Sequence, residues 1–275
     1  MVHGLRLSLP ALLILTAGLQ AQGLYWESTT TGGPMQKGQP RSAKNYAASK
    51  KFKIDQGDNI VIVRLDQEKM YMVNPAAKTY SEMTFEDLEA AGKAMMAQVE
   101  MMKKQLENMP PEQRKAMEKQ LGPMLRAGKE SKIDVEKTSE KKDVAGRSAT
   151  KHVVKADGEE AVTLWVADDV KEYKSLKPDF GALMKRMAAM NPAMKNLASA
   201  SEKIDGFPVE TDMKEMGKET VTKIEPRSVA DSEFEIPADY KKTASPLEGI
   251  PGGPRGKAKA KGKDKAEEAP GKKKE

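Results

Sequence analysis

Between Leu24 and Glu82 the chain is a series of short runs rich in aromatic and β-branched residues, separated by gaps too short to cross a sheet. Leu24 to Thr30 (LYWESTT) is the first and ends at Thr31-Gly32-Gly33-Pro34. After a polar link come Lys51 to Asp55, a turn at Gln56-Gly57-Asp58, then Asn59 to Asp66, Lys69 to Val73 and Lys78 to Glu82. Parallel neighbours need a crossover of about a dozen residues, so these gaps of two to five predict antiparallel hairpins in a meander. Ile60-Val61-Ile62-Val63 is apolar on both faces, which predicts a strand covered on both sides.

The period then changes. Thr84 to Lys129 is rich in Ala, Met, Glu, Lys and Gln with apolar positions at helical spacing, which predicts two helices in an insert over about 84–129. Thr84 with Asp87 three residues on resembles a capping box, and Pro110-Pro111 separates the helices. Strand character resumes at Ile133 to Thr138, Ser148 to Lys155 and Ala161 to Ala167, the last two joined through the hairpin pair Asp157-Gly158. A further helix is expected over about 178–200, interrupted near Asn191-Pro192. Phe207 to Lys214, Glu219 to Pro226 and Phe234 to Ile236 read as closing strands. The alternation predicts an α+β fold, an antiparallel sheet with helices on one face.

Residues 1–21 read as an export signal: Arg6 gives a basic start, Leu7 to Leu19 is uncharged and mostly apolar, and Ala21 stands at a plausible cleavage point. The run is short of a bilayer core of about 30 Å and carries Pro10, so a transient signal is expected, with an uncleaved anchor as the alternative. A periplasmic or secreted location is therefore expected. With no cysteine, neither disulfides nor a thiol-linked lipid anchor can form. The net charge of +6 is not a property of the body: residues 241–275 carry +6, residues 1–21 carry +1, and residues 22–240 carry −1. One domain is expected over 22–244. Residues 245–275, dominated by Pro, Gly, Lys, Ala and Glu, are expected to be disordered. Lys257, Lys259, Lys261 and Lys263 in that tail are candidates for contact with an anionic envelope surface, the alternative being a merely solubilising end. Nucleic acid is an unsuitable partner, because the tail has no aromatic residue to stack on bases.

Several motifs also carry a family resemblance: the early YWES strand, Lys78-Thr79-Tyr80, Pro110-Pro111-Glu112-Gln113-Arg114, Trp165-Val166-Ala167-Asp168, Gly206 to Thr211 and Phe234 to Tyr240. In order and spacing they resemble an exported bacterial family, domain of unknown function 4412, which is similar to the LolA-like lipoprotein carriers; the likeness runs over about 24–242. The resemblance implies a curved antiparallel β half-barrel whose concave face is covered by Met-rich helices around an apolar cavity. Relatives tend to carry a cysteine where Ser148 stands here.

Catalytic chemistry is sparse. Beyond His3 in the signal there is one histidine, His152, on a strand-like run where it would face solvent or a hydrogen-bond partner, so no multi-histidine metal site can form. No nucleophile elbow occurs, Gly252 to Lys257 fails as a phosphate loop, and Asp168-Asp169 reads as a solvated turn. The chain is read as a non-enzyme without cofactor or metal.

Methionines are the remaining signal. Met95, Met96, Met101, Met102, Met109, Met117 and Met124 stand in the first helical region, and Met184, Met187, Met190 and Met194 recur at three, three and four in the second, as one helix stripe. They could be core filling, a cavity lining that adapts to acyl chains, or a soft-metal site. Met95, Met102, Met184, Met187, Met190 and Met194 are taken as cavity candidates. Trp165 joins them as either core or cavity mouth. Two functions remain open: an envelope protein that binds a lipid or other apolar ligand, and a structural or interaction protein with a filled core and a basic tail.

Overall fold

The computed structural model describes residues 22–33, 39–115, 117, 131–190, 194–213 and 217–248. The expected signal at 1–21, Met124, and the tail beyond residue 248 with its four candidate lysines lie outside the described residues.

The chain folds as α+β, with a large open sheet of twelve strands and a few helices. The strands are β1 (Gln22–Thr31), β2 (Arg41–Ala48), β3 (Lys51–Asp55), β4 (Ile60–Arg64), β5 (Lys69–Asn74), β6 (Thr79–Thr84), β7 (Ile133–Val144), β8 (Arg147–Ala156), β9 (Glu159–Ala167), β10 (Phe207–Met213), β11 (Gly217–Ser228) and β12 (Lys241–Lys242). Their order in the sheet is β12-β6-β5-β4-β3-β2-β1-β11-β10-β9-β8-β7. Every ladder is antiparallel except the two-residue pairing of β12 with β6. The meander expected from the short gaps is therefore present. It contains one strand more than the sequence predicts: β2 (RSAKNYAA), on the expected polar link, is polar and Ala-rich yet sits near the middle of the sheet. Asp157 and Gly158 both have positive φ, 53° and 87°, as the tight hairpin between β8 and β9 requires.

Helix α1 (Phe85–Glu107) follows β6 directly, and its first turn is capped as the sequence suggested: Thr84 Oγ1 accepts from the Asp87 amide at 3.1 Å. Residues 111–115 are helical again after Pro110. Helix α2 spans Lys171–Met190, so it begins seven residues before the expected start and carries Pro178 inside it rather than at its first turn. Helix α3 (Lys195–Glu202) follows. The expected strand at Phe234 to Ile236 is instead a 3-10 turn, Asp231–Phe234. It belongs to a strap, residues 229–240, that crosses one face of the meander.

Three clusters form the interior. The largest joins β1 to β6 with α1 and α2. On the other face of the meander, Ala48, Ile62 and Val73 pack against Val229 and Phe234 of the strap. Thus Val61 and Val63 face the helices while Ile60 and Ile62 face the strap, which accounts for the two apolar faces of β4. The third cluster packs Val154, Val162, Leu164 and Val166 against Leu197 and Ala200 of α3 and the nearby Ile204.

Candidate ligand-binding face

The ladder registers align a single cross-strand row, Leu24, Ala47, Phe52, Val63, Met70 and Met83, on the helix-bearing face of the meander. All six are buried. Each large member contributes about 1.5–3 kcal/mol through burial. Helix α2 lies over this row. Phe180 stacks edge-on against Phe52 at 4.9 Å and Tyr173 at 5.2 Å and lies 6.0 Å from Trp26, while Phe207 closes the group at 5.4 Å from Trp26. Burial pushes the Tyr173 hydroxyl up to about 12, with the Asp205 carboxylate adding to the effect, so it stays protonated at neutral pH. These five rings fill the space between α2 and the sheet.

Polar ties fix the helix at the strand ends. The Lys50 amide in the β2–β3 turn donates to Asp179 at 2.9 Å. Arg186 donates to Glu89 of α1 at 2.7 Å and to Glu68 of the β4–β5 turn at 2.6 Å, with its guanidinium 5.2 Å from the Phe85 ring. Helices α1 and α2 approach closely at Gly92, where a Cβ would stand 2.8 Å from the Ala189 carbonyl oxygen and 2.9 Å from that of Met190. Only glycine permits that crossing without displacement.

The next row on the same face is Trp26, Asn45, Ile54, Val61, Met72 and Ser81. Its middle is open: Ile54 is 39% and Met72 37% exposed. At its ends Asn45 and Ser81 are buried, Asn45 donating to Ser28 Oγ at 3.1 Å.

The methionines expected to line a cavity divide. Met187 and Met190 are half-buried and pack on the main core. Met102, Met184 and Met194 are half-buried, and Met95 is exposed. Met184, Met187 and Met190 lie in α2, and Met194 stands immediately before α3. Trp165 packs beside the main core, with Lys142 Nζ 4.2 Å from its ring. The same ammonium donates to Glu210 at 2.8 Å, and Lys218 pairs with Glu210 at 2.8 Å. Burial alone would raise the Glu210 carboxyl, but the hydrogen bonds from the two lysines outweigh it and hold it below the usual carboxylate value.

The residues weighed for catalysis are engaged elsewhere. His152 is buried rather than solvent-facing, with Nδ1 3.1 Å from the Thr150 carbonyl. Asp168 pairs with Lys137 and Asp169 with Arg147. Among the described residues no three His, Cys, Asp or Glu side chains are grouped to hold a metal, and no helix is long and apolar enough to cross a membrane. Two concavities of about 450 Å³ each are open surface grooves, one along Glu27, Lys44, Asp55 and Ile60, the other along Lys185, Ala189 and Asn196.

The open row escaped sequence reading because it exists only through register. Ile54, Val61 and Met72 lie on three strands, and only pairing the hairpins residue by residue through their turns sets them side by side.

A family model described as a domain of unknown function, DUF4412, matches residues 100–240, just over half of the chain. The chain belongs to the DUF4412 family. The DUF4412 match begins within α1 and ends at Tyr240 in the strap, so the β1–β6 meander lies ahead of it. No curated protein matches. Similar solved structures include PNGF-II in a C2 crystal form, 9% identical with a TM-score of 0.37, and PNGF-II in a P21 form, 8% identical with a TM-score of 0.36. Each match covers 83% of this chain and 32% of PNGF-II, so the chain spans about a third of the length of those structures.

Proposed function

We propose that this DUF4412 protein is an exported, non-catalytic protein of the cell envelope that binds a lipid or other apolar ligand on the helix-bearing face of its sheet. The observation that carries this reading is the open apolar row Ile54, Val61 and Met72, which continues a buried core row beyond the edge of α2. Apolar surface set contiguously across three strands is a binding feature, whereas single exposed apolar residues are ordinary. Half-buried Met187 and Met190 on the overlying helix add adaptable side chains. A curved half-barrel of LolA-like type is the finer form of this proposal; the single antiparallel-dominated sheet with α1 and α2 packed on one face supports it. Export rests on the N-terminal signal character of residues 1–21. The basic tail would add attraction to anionic head groups, screened by salt.

A second reading has its own support. The five rings between α2 and the sheet leave a filled core there, as in a structural protein whose surfaces contact other envelope components. Native mass spectrometry of the protein purified from the envelope, with identification of any released lipid, separates the two. A stoichiometric lipid adduct is the expected outcome; a bare mass that persists after incubation with envelope lipids would favour the filled-core reading.

A further inference from the structure

The chain has 18 methionines and no cysteine, so thioethers are its only reactive sulfur. A thioether is oxidised by peroxides wherever solvent can bring the oxidant to it. The meander divides its methionines by this criterion. Met70 on β5 and Met83 on β6 face each other in the row under α2 and are 7% and 4% exposed. Met72 lies two residues beyond Met70 on the same strand and the same face, yet it is 37% exposed. Among the described methionines only Met95 and Met101, both on α1, are more open, at 39% and 60%.

The place of Met72 gives this reactivity a consequence. The ladder registers set it between Val61 on β4 and Ser81 on β6, with Ile54 on β3 beside Val61. Ile54 and Val61 are aliphatic and inert to peroxide. Of the three apolar side chains in the open stretch of the row, Met72 alone can change its polarity after synthesis. A sulfoxide is polar and accepts hydrogen bonds, so an apolar molecule laid against it leaves that oxygen without water.

We propose that Met72 is an oxidative modification site whose sulfoxide closes the open row to apolar ligands. The sulfur lone pair attacks one oxygen of hydrogen peroxide, and the S–O bond forms as the O–O bond breaks. The proton on the transferred oxygen passes to the departing hydroxide, which leaves as water; sulfur is oxidised and the peroxide reduced. A methionine sulfoxide reductase reverses the change. Met70 and Met83 stay sealed beneath α2, so the fold outlasts the modification. This rests on the apolar-ligand reading above and adds control by oxidant to the same face.

The test treats the full chain with hydrogen peroxide and follows each sulfoxide by peptide mass mapping. Met101, Met95 and Met72 should oxidise at least about tenfold faster than Met70 and Met83, whose reaction waits on local opening. Nile red, an uncharged apolar dye, then reports the row: its affinity should fall about tenfold once Met72 is oxidised and return after treatment with the reductase. In Met72→Leu, a swap that conserves volume, peroxide should no longer alter Nile red affinity, whatever its starting value. Met101→Leu should respond to peroxide as the unchanged chain does. A Met72 as slow to react as Met70 and Met83 overturns the site. Met72 sulfoxide with unaltered dye affinity, or a loss of affinity that persists in Met72→Leu, overturns the switch and leaves the apolar-ligand reading standing. If the untreated chain binds neither Nile red nor any envelope lipid, that reading falls and the switch with it, while the peptide map still decides the site.

Discussion

Glu210 shows how one residue ties distant strands together. Sequence marked its neighbour Trp165 but gave no sign of the carboxylate, because its partners come from β7 and β11, far apart in the chain. Glu210 is buried while its two lysine partners are a third or more exposed, so replacing the carboxylate weakens two partly solvated pairs and Glu210→Gln should cost about 1 kcal/mol near neutral pH. The pH dependence has a definite sign. A carboxylate whose folded value is depressed stabilises the fold fully above its ordinary value of 4.5, and that contribution fades as pH falls through the lower folded value. Thermal melting followed from pH 7 to pH 3 should show a shallower acid limb in Glu210→Gln than in the unchanged chain. Superimposable acid limbs would remove Glu210 from the account. His152, by contrast, was legible as a strand residue with a hydrogen-bond partner, and its burial was not, since the run Ser148 to Lys155 is polar enough to face water.

At the scale of elements, periodicity served well where the segment was long or strongly patterned. The hairpins of the meander, the Thr84 cap and the Asp157-Gly158 turn all follow from local chemistry. The failures have physical causes. β2 offers few large apolar residues of its own and is held by neighbours on both sides, β1 and β3, so tertiary pairing outweighs its weak propensity. Pro178 looked like a helix start, whereas α2 extends a further seven residues toward its N-terminus because Tyr173 and Leu176 are buried against the core. The strap read as a strand because Phe234 and Ile236 alternate, but Phe234 acts as an anchor, 1% exposed, on the face opposite α1 and α2. Lys51 pairs with Asp231 and Lys53 with Glu233 to hold it there. Phe234→Ala should cost about 3 kcal/mol through loss of the buried ring. Hydrogen exchange should then accelerate first in residues 229–243, where the Lys241 and Thr243 amides donate to the carbonyls of Lys78, just before β6, and Tyr80 within it. Unchanged protection of the Lys241 and Thr243 amides would show that the strap does not hold that edge.

For the whole molecule, the succession of strands, helices and strands was enough for the class, and the domain's neutrality and the basic tail were visible in charge alone. The order of the sheet was not, because β11 comes to lie beside β1 across nearly the full length of the chain. The site divides in the same way. Met187 and Met190 were marked by helical spacing, which is local. The strip of Ile54, Val61 and Met72 needed three registers at once. The account's central claim, that an apolar ligand lies along this strip, is tested most directly by methyl-resolved NMR of the full chain with isoleucine, valine and methionine methyls labelled, titrated with hexadecanoate. The prediction is that Ile54, Val61 and Met72 shift together and saturate at one equivalent, while Ile62 and Val73 beneath the strap stay in place. Shifts confined to other methyls, or none at all, would contradict it.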